Sequence, residues 1–410
     1  MRIRSITLFA DVTYPLDGTR LQEWSRFLAV ARSAYEAAGY EVQSTRLATP
    51  PFPQVLGPGN AAQAPVLAEE LEEFAIGHGI DYVSLGPAGG PSGDYDPAYV
   101  DAIYPLLART RNAFAAVDIA SSGGVHLAGV RRMAALIRQV AQITPDGFGN
   151  LRLAALANCP PGSPFFPVAH GIQGETSFAI ATEAADLALG AFTGADSLAS
   201  GWTALVARLE AEGARLAAVG EELMEQGVVF GGIDFSLAPY PEEERSLGAA
   251  MERLGVARVG AQGSLFSAAL LADAIDHARF PRCGFSGLML PVLEDSVLAE
   301  RAAEGLLTVT DLLLYSAVCG AGLDTVPLPG DISEDELAAI LLDVAALSTR
   351  LNKPLTARLM PIPGLSAGDP VVFPHFAYFA PSRVMAPKGR RGVPLQLGGE
   401  TLRLRALRDR

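Results

Sequence analysis

Short apolar runs alternate with helix-length segments along almost the whole chain, and this alternation most narrows the folds open to it. The runs fall at 3–10, 41–46, 80–86, 112–118, 150–157, 176–181, 227–236, 285–292, 323–327 and 354–361. Between most of them, apolar residues recur at helical spacing over 20–38, 65–77, 124–143, 197–226, 242–254, 264–279, 294–306 and 333–350. Gly39 supplies a stop for the first of these segments, and Ser333 with Glu336 a capping box for the last. Strands interleaved with helices predict a largely parallel sheet covered by helices. No composition break or flexible linker divides the pattern, so one α/β domain is expected over 1–382. The Pro/Gly-rich passage 87–97 reads as a loop after a strand.

Composition sets the class. Half of the 410 residues are apolar and 19% are charged, with a mean hydropathy of +0.26, which predicts an ordered protein with a large core. The formal net charge of −14 opposes phosphate backbones and anionic lipid, so neither nucleic acid nor a membrane is an expected partner. Three scattered cysteines, Cys159, Cys283 and Cys319, form no CxxC pair, a usage that fits a reducing cytoplasm. The basic, apolar start MRIRSITLFADV mimics a signal peptide, but Asp11 interrupts it and it reads better as a first strand. No uncharged apolar stretch is long enough to cross a bilayer.

The common catalytic signatures are missing. The chain has no GxGxxG, no GxxxxGK[ST] and no HExxH, so no nucleotide motif is found. Its two lysines are Lys353 and Lys388. A Schiff-base mechanism would have to use one of them. Lys353, in LNKPL, reads as a solvated charge where a strand begins.

Candidate site residues cluster where strands are expected to end. GGIDFSLAPYP (231–241) sets Asp234 inside an apolar run, where an acid must be hydrogen-bonded, paired or functional. NCPPGSPFFPVAH (158–170) is a proline-stiffened loop ending in His170, with Glu175 close behind. Such loops hold binding groups well, although a lone histidine is more often structural. Glu294 and Asp295 follow another run and suit the N-terminus of the next helix. In DLLLYSAVCGAGLDTVPLPGD (311–331) an apolar helix leads into Cys319, a double-glycine turn, and a short strand holding Asp324. A buried cysteine is commonly a small hydrophobe, and a thiolate is favoured at helix N-termini rather than at helix ends. The tail differs from the body. From 383 on it carries Arg383, Lys388, Arg390, Arg391, Arg403, Arg405, Arg408 and Arg410, a basic arm whose LQLGGETLRL reads as a hairpin around Gly398–Gly399. It reads as solvated surface, with docking on its own domain or on a second subunit as the alternatives.

The segments RIRSITLFADV, GNLRLAALANCPPGSPFFPVAHG, VFGGIDFSLAPYP, CGFSGLMLPVLED, YSAVCGAGLDTVPLPGD and LNKPLTARLMPIPG resemble those of the bacterial and archaeal family known as domain of unknown function 711. The matching segments run from about residue 2 to 370, and GLDTVPLPGD with IDFSLAP is the most specific part. The resemblance implies a fold similar to pyruvate formate-lyase and anaerobic ribonucleotide reductase: a closed ten-stranded α/β barrel made of two parallel halves. The ten apolar runs agree with it. Spacing alone would equally give an eight-stranded barrel or a doubly wound sheet. Glycyl radical enzymes carry an Arg-Val-x-Gly-aromatic motif near the C-terminus. Here the nearest match is Arg383-Val384-Met385-Ala386, with alanine in the radical position, so the expected chemistry is non-radical.

Two classes of function follow. One is an enzyme on a small polar, carboxylate-bearing metabolite held in a barrel mouth, with acid–base chemistry of the hydrolase or lyase type. In it Cys319, Asp234 and His170 are the catalytic candidates, and Arg358, Asp324 and Glu175 the substrate-binding ones. A divalent metal held by Asp234 or Asp324 belongs to this reading. The other is a non-catalytic regulator that binds a small molecule. It draws on the family's frequent neighbour, an ACT-domain protein, as a partner implied by the resemblance. A homo-oligomer is expected in either case.

Overall fold

The structure is a computed structural model and describes residues 1–89, 96–388 and 397–407. Ten principal strands build it: β1 (Arg2–Phe9), β2 (Thr45–Ala48), β3 (Tyr82–Pro87), β4 (Ala113–Ser121), β5 (Gly124–His126), β6 (Leu153–Ala157), β7 (Ser177–Glu183), β8 (Val229–Asp234), β9 (Gly322–Pro329) and β10 (Leu355–Ile362). Three two-residue strands follow: β11 (Pro370–Val371), β12 (Ser382–Arg383) and β13 (Thr401–Leu402). One large mixed sheet runs in the order β8-β7-β1-β2-β3-β4-β6-β10-β9. Its first, second, third, fourth and sixth strands are mutually parallel. Antiparallel seams join them to β7 on one side and β10 on the other, and β8 and β9 then pair parallel to those.

Both faces of the sheet are covered, which is why its strands read as near-continuous apolar runs. The outward residues Ile6 and Leu8 of β1, with Ala115 and Val117 of β4, enter the main core. There the helix Gly18–Ala37 contributes Leu21, Trp24, Phe27 and Leu28. On the inner face small residues leave room for the proline-stiffened loop: Ala116, Ala154 and Leu156 pack against its Val168. Phe9, Ala48 and Ala179 pack against its Phe166 and Ala169. The Thr7 hydroxyl fixes the loop by donating to the Pro164 carbonyl at 2.8 Å.

Nine of the ten apolar runs are strands of the sheet path; the tenth, 285–292, is not. The closed ten-stranded ring expected from the resemblance is therefore absent as a continuous ladder, because β8 and β9 do not pair with each other. Isolated bridges link Arg282 to Ile233, Leu288 to Leu237, and Pro291 to Asp324, all parallel. The local sequence explains the missing ladder. Gly284 and Ser286 have positive φ values of 59° and 41°, and Pro291 has no N–H to give.

Other elements also depart from the pattern. Residues 124–126, expected as the first turn of a helix, form β5, and the helix runs Leu127–Val140. In the tail, Leu395 and Gln396 of the expected hairpin lie outside the described residues, and its other arm carries the strand Thr401–Leu402. That strand pairs antiparallel with β5, and Leu407 donates its N–H to the Arg350 carbonyl at 2.9 Å. Arg390, Arg391, Arg408 and Arg410 lie outside the described residues. The Ser333 capping box forms as read, with Glu336 Oε2 accepting from the Ser333 N–H at 2.9 Å. Among the described residues, no helix is long and apolar enough to cross a membrane.

Gly284 sits where the bridged segment meets β8. A Cβ there would lie 2.1 Å from Asp234 Oδ2 on a backbone with φ of +59°. Gly284→Ala should therefore cost about 3 kcal/mol, since it combines backbone strain with a clash against a buried carboxylate. Chemical denaturation measures it; a loss under about 1 kcal/mol would show that this turn is free to shift.

Candidate functional site

A cavity of about 380 Å³ opens on the inner face of the sheet, within the size range of small-molecule sites. Its lining takes residues from near the starts of β1, β2, β3, β4 and β6 and from β9 and β10, closed below by Phe165–Val168 of the proline-stiffened loop. Phe148, His375, Phe376 and Tyr378 line the cavity as well. Phe376 packs edge-on against Phe148 and Phe379, with centroids 5.0 Å apart in both cases.

Charged groups meet along one wall. Glu294 is 4% exposed and bridges two arginines: Arg4 donates Nη2 to its Oε2, and Arg358 donates Nη2 to its Oε1 at 2.7 Å. Arg358 Nε also donates to Asp324 Oδ1 at 2.5 Å. The buried Glu183 accepts from Arg4 at 3.4 Å and from Arg2 Nε at 2.9 Å. Burial works against ionisation of Glu294, but the flanking Arg4 and Arg358 outweigh it and hold its carboxyl below the usual range. Asp324 is shifted the other way: burial raises it, Arg358 lowers it, and the nearby Glu294 charge raises it again. Its second oxygen has no protein partner among the described residues.

Arg46 stands apart. It is 8% exposed and lines the cavity, yet its one hydrogen bond runs from Nε to Ser44 Oγ at 2.9 Å. Its two terminal nitrogens have no hydrogen-bond or ion-pair partner among the described residues. The guanidinium carbon lies 5.1 Å from the Phe166 ring centroid and 5.5 Å from that of Tyr82. Burial, then the charge of Arg4, pushes its pKa down, though an arginine stays charged at neutral pH. Arg152 also reaches the cavity, but its guanidinium is taken up by the carbonyls of Leu107, Thr110 and Ala113.

Of the six residues picked out by sequence, Arg358 and Asp324 line this cavity; the other four do not. Asp234 is fully buried and accepts from the N–H groups of Phe285 at 2.7 Å and Ser286 at 2.8 Å and from the Ser236 hydroxyl at 2.6 Å. Burial pushes its carboxyl up to about 6, and these three donors pull against that rise. It is the clasp between β8 and the bridged segment. His170 is buried, with Nδ1 3.0 Å from the Val168 carbonyl, and burial lowers its pKa. Cys319 is buried behind the cavity wall, and burial raises its thiol. Its carbonyl accepts from Lys353 Nζ, which also donates to the Ser316 carbonyl at 2.9 Å. Lys353 thus tethers a helix end instead of standing solvated. Glu175 is exposed on a surface loop. The adjacent acids part ways: Glu294 enters the cavity, while Asp295 caps the helix Ser296–Ala303 and also accepts from Leu247 N–H at 2.7 Å. Among the described residues, no three His, Cys, Asp or Glu side chains are grouped as a metal site. Ala386 is exposed and outside the lining.

Sequence reading missed Arg4, Arg46 and Glu183, and took Glu294 for a helix-dipole residue. A signal was available: Arg4 and Arg46 sit inside apolar runs, and a charge inside a two-sided strand must have a partner or a purpose.

Two measurements check this electrostatic picture. Glu294→Gln should cost about 3 kcal/mol of stability, because it leaves Arg4 and Arg358 buried and uncompensated. An unchanged denaturation midpoint would remove Glu294 from that role. The second concerns Asp118 on β4, which has no hydrogen bond or ion pair among the described residues and whose carboxyl burial raises from 3.8 to about 7. The folded state keeps the proton after the unfolded chain has lost it. The contribution of Asp118 to stability is thus full below about pH 4 and is lost as pH rises to about 7. Asp118→Asn should stabilise the protein by about 2 kcal/mol near pH 8 and by almost nothing near pH 4. Equal shifts at both pH values would show that Asp118 does not titrate in this window.

Comparison with known proteins accords with this architecture spanning most of the chain. A family model described as Uncharacterised ACR (DUF711) matches residues 1–380. A UPF0210 protein of Pyrobaculum arsenaticum is 35% identical over 358 residues, covering 84% of this chain and 79% of the relative. Another from Oleidesulfovibrio alaskensis is 31% identical over 428 residues, covering 96% and 92%. One from Syntrophobacter fumaroxidans is 32% identical over 357 residues, covering 82% and 77%. With the family model spanning nearly all of its strands and the relatives aligning along most of its length, the chain belongs to the DUF711 family.

Proposed function

We propose that the chain is a non-radical enzyme that binds a small carboxylate-bearing metabolite in this cavity and exchanges a proton with it through Asp324. The observation that carries this reading is the state of Asp324. One oxygen is held by Arg358 at 2.5 Å, and the other is left without a protein partner among the described residues, beside a cluster of guanidinium groups. Burial raises its pKa from the ordinary carboxylate value toward neutrality, where a general base or acid works best. Arg358 keeps the carboxylate oriented, and the buried surroundings strengthen every charge interaction the substrate makes. Cys319, Asp234 and His170 have no part in this reading.

We also propose that the sheet closes into a barrel through 281–291, two parallel halves meeting at the β1–β7 and β6–β10 seams. Support comes from the isolated bridges on both sides of that segment and from a cavity lined by β1, β2, β3, β4 and β6 at one stretch of the path and by β9 and β10 at its end.

The test is a turnover and binding screen against small carboxylates, repeated on Asp324→Asn. The variant should retain binding and lose about 10²–10⁴-fold in turnover, the usual worth of a positioned acid or base. Ligands that bind the native protein without ever being turned over would favour the regulator instead. Unchanged turnover in Asp324→Asn would overturn the assignment of the base.

A further inference from the structure

We infer that the cavity's ligand is a monoanionic acid with an apolar, ring-sized body, its anionic group seated on Arg46; this rests on the reading of the cavity as an anion site. Charge matching carries the first half. Glu294 and Asp324 are engaged by Arg4 and Arg358, and Asp81 at the lining is engaged by Arg32 at 3.0 Å. The guanidinium of Arg152 is taken up by carbonyls. Among the described residues, that leaves Arg46 as the buried lining cation whose two terminal nitrogens have no protein partner. An unmatched buried charge is costly, and a planar guanidinium with two open N–H edges accepts a carboxylate in a two-point grip.

The walls carry the second half. The buried apolar part of the lining includes Phe114, Phe165, Phe166, Val168, Ala154 and Met289, beside the buried polar Ser44, Arg152, Glu294, Thr356 and Arg358. The aliphatic hydroxyls of the lining are committed: Ser44 donates to the Arg4 carbonyl at 2.8 Å, and Thr356 to that of Ala321 at 2.9 Å. A second carboxylate set against those rings and methyl groups would have its desolvation uncompensated. Phe166 and Tyr82, already flanking the guanidinium, offer faces for a ring or branched chain.

Isothermal titration calorimetry on the full chain tests this with four probes: 3-phenylpropionate, its neutral amide, succinate and inorganic phosphate. The aromatic acid should bind, and the amide, succinate and phosphate should bind about tenfold more weakly or less. Arg46→Gln should weaken 3-phenylpropionate by about tenfold or more without lowering the melting temperature, since it removes a buried unmatched charge. The acid-to-amide comparison needs no variant and stands if Arg46→Gln fails to fold. Tighter binding of succinate or phosphate than of the aromatic acid, with dependence on Arg46, would overturn the ligand class and leave the anion site standing. Binding of 3-phenylpropionate unaffected by Arg46→Gln would overturn the inference. The absence of binding by every anion would overturn both readings together.

Discussion

The molecule turns on a single carboxylate. Glu294 lies between Arg4 of the first strand and Arg358 of the last long one, and it arrives on the segment that bridges the two sheet ends. Three remote stretches of chain are thereby fixed at one corner of the cavity. Neither arginine alone would offset the desolvation of so deeply buried an acid, but two opposing guanidinium groups do. The same arrangement orients Asp324 through Arg358 and leaves Arg46 without an ion-pair partner among the described residues.

Much of the architecture was legible because two-sided burial writes a simple pattern. Nine of ten apolar runs became strands of the path, since a parallel sheet covered on both faces needs uninterrupted apolar residues. The tenth run looked the same by hydrophobicity, yet Gly284, Ser286 and Pro291 break its backbone pattern. Hydrophobic burial and ladder formation are separate demands, and CGFSGLMLP satisfies the first without the second. The tail's pairing with β5 was unreadable for another reason: three-residue strands carry no period, and nothing local marks Thr401 as a partner of His126.

The site was less legible than the fold. Asp324 and Arg358, both picked out in the sequence, line the cavity. Asp234 was ambiguous from sequence, and its three donors place it as a clasp between chain segments. Nothing in one-dimensional spacing says which buried acid receives backbone amides and which receives arginines. That choice depends on the partner segment, 51 residues away for Asp234 and Phe285 and 290 for Arg4 and Glu294.

These separations bear on how the chain must assemble. The first strand leaves the ribosome with Arg4 long before its acid exists, and β6 waits some 200 residues for its antiparallel neighbour β10. Closing loops of that length precedes the reward of the contacts they permit, so topology of this kind folds slowly. The early parallel strands meanwhile carry an incomplete inner face and unpaired arginines, the condition in which partly folded chains associate. Synthesis of the last hundred residues is thus the step at which the molecule becomes electrostatically self-consistent, and a chain cut short before β10 leaves β6 without its antiparallel neighbour and Glu294 without Arg358.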